Sequence, residues 1–322
     1  MGTREISAVI ESGAQYSRVI DSRVIAQWRS VRLLPANWLR VVCISAALGL
    51  SSCSTLNVSA FNVAYDHSDW LLQRAASHYV DFDAGQAQAV RTGFGNLHAW
   101  HRSQELPLYA DLMDSAASRM ERGLRREDIV WMMHAVNERW QVVSQRLVGE
   151  ATPVLVTLTP AQLVQMERRL TEDNAKFAKA EVAPDRRKAD KHRAEFVIDQ
   201  IARWTGELTP AQKERVELAV KQTEDFPELR LAERRRRQAQ FLHLVRDTRD
   251  PHALGNALNE MLIAPREGAD EAYRRSVARF EEQMIEMLLD VDRTLTPQQR
   301  TNAASRMRRY AQNFRALAVG RT

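Results

Sequence analysis

Tyr273-Arg274-Arg275-Ser276-Val277-Ala278-Arg279-Phe280-Glu281-Glu282-Gln283-Met284 opens the stretch whose reading decides the fold. From Tyr273 onward, apolar residues recur at steps of three and four: Val277, Phe280, Met284, Leu288, Val291 and Leu295. That period lays one apolar stripe along an α-helix, whereas in a strand it would scatter over both faces. The spacing is close to a heptad, which suits a long bundle helix packed at a shallow angle. Upstream the same period returns. Ile129, Met132, Met133, Val136, Trp140, Val143 and Leu147 share a face, as do Leu163, Met166, Leu170 and Phe177, and Val197, Ile201 and Trp204. Pairs four apart, such as Glu172–Lys176, Asp199–Arg203 and Glu271–Arg275, mark outer faces.

Composition agrees. Hydrophobic residues make up 44% of the 322, enough for a core, while Gly and Pro are few and strand-like runs are scarce. The expected class is all-α, a multi-helix bundle of roughly ten helices behind a signal peptide. Helices are expected near 61–80, 83–102, 104–122, 126–149, 160–181, 185–205, 210–225, 228–248, 251–263, 267–294 and 298–318. Pro107 makes the second and third either one kinked helix or two.

One phrase recurs. Leu158-Thr159-Pro160-Ala161-Gln162, Leu208-Thr209-Pro210-Ala211-Gln212 and Leu295-Thr296-Pro297-Gln298-Gln299 share Leu-Thr-Pro-x-Gln. Thr serves as N-cap, Pro fills the first helical position, and Gln at the third closes a capping box. Asp83-Ala84-Gly85-Gln86, after Phe82, reads as a weaker copy. The spacing is too uneven for a solenoid. A boundary is expected at Gly149–Thr157, where Pro153 and a short apolar run interrupt the pattern. It divides an N-terminal helical region, 61–149, from a C-terminal one, 158–322.

The N-terminus carries a different signal. Residues 41–50 form an apolar run of ten, preceded by Arg40 and followed by Leu50-Ser51-Ser52-Cys53. A basic flank, a short apolar segment and small residues at a cut are the parts of a secretory signal. As a helix the run rises only about 15 Å, half the hydrocarbon core, so it does not span a membrane. Residues 1–52 are therefore read as the signal peptide and 53–60 as a tether. A leader of that length exceeds the usual 15–30 residues, so translation is expected to begin near Val31. Six Arg against three acids place +3 of the chain's +5 in this leader, leaving about +2 for the body, too little to imply nucleic acid. Of the two cysteines, Cys43 would be removed with the leader, leaving Cys53 without an internal partner.

Leu50-Ser51-Ser52-Cys53 resembles the lipobox of bacterial lipoproteins. The resemblance implies lipidation of the Cys53 thiol, cleavage between Ser52 and Cys53, and acylation of the new amine with palmitate or a similar chain. Ser54, rather than Asp, follows the cysteine, which by analogy implies the periplasmic face of the outer membrane. Further along, Asn62-Val63-Ala64-Tyr65, Asp69-Trp70-Leu71-Leu72, Tyr79-Val80-Asp81-Phe82-Asp83 with Gln86, Trp100-His101-Arg102 and Glu105-Leu106-Pro107 with Tyr109 join the first two Leu-Thr-Pro-Ala-Gln phrases. Together they resemble a family of uncharacterised proteobacterial lipoproteins, a domain of unknown function, which implies location and fold class but no activity. The Leu-Thr-x-x-Gln phrase is also similar to one in Spy-like periplasmic chaperones.

Chemistry is sparse. His98 and His101 lie three apart with Glu105 four beyond, a spacing that can clip a divalent metal. Helical spacing from Phe94 and Leu97 instead favours partly buried, hydrogen-bonded histidines, so no metal and no cofactor is expected. No His-Glu-x-x-His, Gly-x-Ser-x-Gly, Gly-x-Gly-x-x-Gly or P-loop occurs, and no catalytic residue is assigned. Arg234–Arg237, Arg186-Arg187-Lys188 and Arg306/Arg308/Arg309 read as solvated faces, with anionic headgroups or an acidic partner as the functional alternative. Trp70, Trp100, Trp131, Trp140 and Trp204 read as core packing. The expectation is a non-enzymatic envelope protein that binds or scaffolds an envelope protein or polymer. The alternatives are a chaperone-like protein and an envelope hydrolase with an unrecognised site.

Overall fold

Proline at the first helical position forfeits no hydrogen bond, because that N–H has no partner inside a helix. Five helices start this way. The computed structural model describes residue 62 and residues 65–182, 185–264 and 266–320. The leader, Leu50, Ser51, Ser52, Cys53 and the 53–60 tether lie outside the described residues. Helices run in the order α1 (Ser68–Tyr79), α2 (Ala84–Trp100), α3 (Leu106–Glu121), α4 (Arg126–Leu155), α5 (Pro160–Phe177), α6 (Arg186–Thr205), α7 (Pro210–Gln222), α8 (Pro227–Asp247), α9 (Pro251–Ile263), α10 (Glu271–Thr294) and α11 (Pro297–Val319). There is no strand among the described residues, so the bundle is all-α.

Two prolines behave differently from the rest. Pro107 neither breaks the rod nor separates two helices: α2 continues into α3 through a π-helical turn, His101–Glu105. Proline would clash with the carbonyl four residues back, and the wider turn relieves this, with Leu106 N–H donating to His101 O. Pro153 sits in the last turn of α4, which runs six residues past the end expected at 149. So close to a terminus, it costs only one hydrogen bond.

The four capping boxes do more than start helices. They pair. Gln86 and Gln162 exchange side-chain amide hydrogen bonds at 3.2 and 2.6 Å. Gln212 and Gln299 do the same, both at 2.9 Å. Each Nε2 also donates to a carbonyl just ahead of the partner helix: Gln86 to Thr157 O, Gln162 to Asp81 O, Gln212 to Thr294 O and Gln299 to Glu207 O. Each Oε1 accepts from its own cap backbone N–H, at Asp83, Thr159, Thr209 and Thr296. Two donors and two acceptor sites per amide are thus all used, as burial demands. Asp83-Ala84-Gly85-Gln86 is therefore a complete partner rather than a weaker copy.

These two clasps stand over two different cores. Around Gln212–Gln299, Val216, Val220 and Phe226 pack on Tyr273, Val277, Phe280, Met284, Met287 and Val291 of α10. The stripe read from the sequence is thus the inner face of α10, with Leu288 and Leu295 partly buried against it. A second face of α10 is also buried, where Ile285 and Leu289 meet Ile129 of α4. Around Gln86–Gln162 the core is Val80, Leu158, Leu163, Met166, Leu242, Val245, Leu254 and Leu258, on α5, α8, α9 and their flanks. A seam of alanines joins α3 to α11: Ala110 and Ala117 of α3 and Ala303, Ala304 and Ala311 of α11 are all essentially inaccessible. Without longer side chains these helices approach closely. Arg300 locks the corner, donating to Asp292 Oδ1 at 2.7 Å and Met120 O at 2.9 Å.

Candidate functional site

α2, α4, α5 and α8 converge on a cavity of about 380 Å³ next to the first clasp. That lies within the range of about 300–1,000 Å³ that small-molecule sites occupy. Its walls are apolar, with Val90 and Phe94 from α2, Leu147 and Val154 from α4, Leu170 from α5 and Phe241 from α8 among them. Small residues on facing helices leave the space: Ala76 and Ala151 line it with short side chains. Gly93 brings α2 close to α4, since a Cβ there would stand 3.2 Å from Glu150 O.

Polar groups at the wall are mostly spoken for. Glu150 accepts from Arg146 at 2.7 Å and Asn96 at 3.2 Å. Tyr79 donates its hydroxyl to Asp173 at 3.0 Å. Gln238 Oε1 accepts from Asn174 Nδ2 at 2.6 Å, and Asn174 Oδ1 accepts from Arg234 Nε at 2.7 Å. Arg237 is different. Among the described residues its one hydrogen bond is to Met261 O, at 3.5 Å, and burial pulls its guanidinium below the usual arginine range while Glu233 acts the other way. The Arg234–Arg237 run is therefore not one solvated face: Arg234 and Arg236 have partners, and Arg237 belongs to the cavity wall.

Two turns farther along the α2–α3 rod, a polar cluster replaces the apolar wall. His98, His101 and Glu105 share a face, and the π turn carries the latter two. Such turns often mark functional positions. His101 Nδ1 and the Tyr65 hydroxyl are hydrogen-bonded at 3.0 Å, and the His101 ring meets Tyr109 edge-on at 5.3 Å. Burial pushes the His101 imidazole down to about 4, reinforced by His98. Glu105 is only 2% exposed. Burial raises its carboxyl, although Arg139, 3.3 Å away, pulls the other way. Among the described residues, Glu105 Oε2 and His98 Nε2 are buried without hydrogen-bond partners.

At neutral pH, then, the His101 imidazole is uncharged. Among the described residues no three His, Cys, Asp or Glu side chains converge to hold a metal, and His98 with His101 does not form such a set. Of the tryptophans, Trp70 is 45% exposed rather than packed in the core. Trp131 lies under the Arg119 guanidinium at 3.7 Å. Sequence spacing placed His98, His101 and Glu105 on one face. No local signal marked Arg237 apart from its neighbours.

These features define an all-helical bundle with an apolar cavity beside a buried polar cluster. The chain belongs to a family of unknown function (DUF6279), whose model matches residues 78–274. The matched span holds His98, His101, Glu105, Arg237 and the first clasp. No curated protein and no solved structure matches the chain.

Proposed function

We propose that this chain is a lipid-anchored, non-enzymatic binding or scaffolding protein of the bacterial envelope. In this reading Cys53 carries the acyl chains after cleavage at Ser52, and Ser54 directs the product to the periplasmic face of the outer membrane. The tether holds the body at the surface, where it engages an envelope component. The observation that carries the anchoring is Leu50-Ser51-Ser52-Cys53 behind a basic, apolar leader. Several acyl chains at about 0.8 kcal/mol per buried methylene hold far more firmly than one. The observation that supports binding is the apolar cavity. No helix among the described residues is long and apolar enough to cross a membrane.

A chaperone role draws no support from the Leu-Thr-x-x-Gln phrases. Their glutamines are consumed by the clasps and offer nothing to a client.

Replacing Cys53 with alanine tests the anchoring. The expected outcome is loss of cleavage after Ser52 and disappearance of the processed, lipid-held form from carbonate-washed membranes. A variant that still matures at the same bond and stays with the membrane pellet overturns it.

A further inference from the structure

We propose that Arg203, Arg306 and Arg309 form a basic face that rests on anionic phospholipid headgroups beside the root of the tether, an inference that takes its membrane from the anchoring reading above. α11 carries five arginines. Three are paired: Arg300 with Asp292, Arg308 with Glu121, and Arg315 with Asp111 and Asp114. Arg306 and Arg309 differ. Among the described residues neither makes an ion pair or a hydrogen bond. Asn302, Arg306, Arg309 and Asn313 follow at steps of four, three and four, so they share one stripe of the helix. Both ends of that stripe are fixed. Asn302 Nδ2 donates to Thr205 O at the end of α6, at 3.0 Å, and Asn313 Nδ2 donates to Asn62 Oδ1 at 2.8 Å. Arg203 joins from α6, where its neighbour Trp204 packs on Tyr310 with ring centroids 5.6 Å apart.

Charge sets the partner. Burial holds the Arg306 guanidinium below the usual arginine range, Arg309 and Arg203 lower it further, and the Tyr310 hydroxyl acts the other way. The same three arginines act on Tyr310, so their charges share one neighbourhood. No carboxylate acts on Arg306 among the described residues. Like charges gathered without a counter-ion attract anions from outside, and guanidinium suits phosphate oxygens. The tether sets the place. Asn62 lies nine residues after Cys53, a stretch of at most about 32 Å when extended. Arg309 stands only about 6 Å along the helix from Asn313, which holds Asn62. A lipid on Cys53 thus keeps these arginines within reach of headgroups, whose potential acts over a Debye length of about 8 Å.

The test floats the full chain carrying Cys53→Ser, which has no acyl chain to mask a weak contact. The vesicles are phosphatidylcholine alone or phosphatidylcholine mixed with phosphatidylglycerol. The leader is common to every sample, so each variant is compared with its parent on the same vesicles. Arg306→Gln with Arg309→Gln should weaken binding to the anionic vesicles about 25-fold, about fivefold per charge, and leave the neutral ones unchanged. Arg306→Lys with Arg309→Lys keeps both charges and should retain most of the binding. Arg275→Gln with Arg279→Gln removes the same net charge from paired arginines of α10 and should match the parent. A double Gln variant that binds like its parent overturns the proposal, as does an equal loss in the α10 variant. A chain indifferent to anionic vesicles that crosslinks in cells to an acidic protein through Arg306 and Arg309 overturns it too. A carbonate wash strips a contact of this kind, so the two readings fail separately. Should Cys53→Ala still mature and stay in washed membranes while the vesicle results hold, the anchoring falls and the basic face stands.

Discussion

Two regions of the molecule use the same device and end differently. Gln86–Gln162 and Gln212–Gln299 fasten helix starts 76 and 87 residues apart with matching sets of hydrogen bonds. Beneath the second clasp, Phe226 meets Tyr273 and Phe280 edge-to-face at 6.1 and 6.2 Å, and Met284 and Met287 fill what remains. Beneath the first, Ala76 and Ala151 line the wall with short side chains, and the space stays open. A polar fastening fixes where helices begin relative to one another. It does not fill the volume between them. Side-chain size on the facing surfaces decides whether a region becomes a core or a chamber.

Truncation should separate the two regions most. Phe280→Ala is expected to cost about 3–5 kcal/mol, because it opens a void in a filled core. Phe241→Ala, which borders an existing void and has fewer contacts to lose, should cost about half as much. Urea unfolding of both variants measures the difference, and equal losses would mean the two interiors are packed alike.

Acid should weaken the fold through the polar cluster beyond the first region. His101 is neutral in the fold, with its imidazole pushed down to about 4 from an ordinary 6.5. The unfolded chain therefore takes up a proton below about 6.5 that the folded chain refuses until about 4, so stability falls as pH drops through that window. The loss is at most about 3 kcal/mol. Glu105, raised by burial, opposes it, because its carboxyl gains a proton more readily in the folded state than in the unfolded one. Urea unfolding at pH 7 and pH 5 should show the decline, and His101→Gln should flatten it. A His101→Gln profile as steep as the parent's would place the titration elsewhere.

The clasps themselves give the smallest contrast. Gln212 and Gln299 are both buried, so Gln212→Ala leaves amide donors and the Thr294 carbonyl stranded, at about 2 kcal/mol. Gln86→Ala should cost about 1 kcal/mol, since Gln162 and Thr157 are partly exposed and water can replace the lost partner. A double-mutant cycle on Gln212 and Gln299 should show coupling, and additivity would sink the reciprocal pairing.

What could be read in advance follows the range of each interaction. The helix starts after Thr159, Thr209 and Thr296 were legible because a cap closes within four residues. The inner face of α10 was legible because periodicity survives whatever the stripe packs against. His98, His101 and Glu105 were legible as neighbours on one face for the same reason. The second buried face of α10 was not, since Ile285 and Leu289 are apolar under either reading and only Ile129 explains them. Nor was the end of α4, where Pro153 reads locally as an interruption.

The sequence by itself determined that the chain is helical and where most helices begin, because caps and periods are settled by near neighbours. Only the tertiary structure decided that four separate capping boxes join into two clasps, and that one region closes while the other stays open. Those outcomes depend on which surfaces meet across tens of residues, and a local pattern holds no record of that.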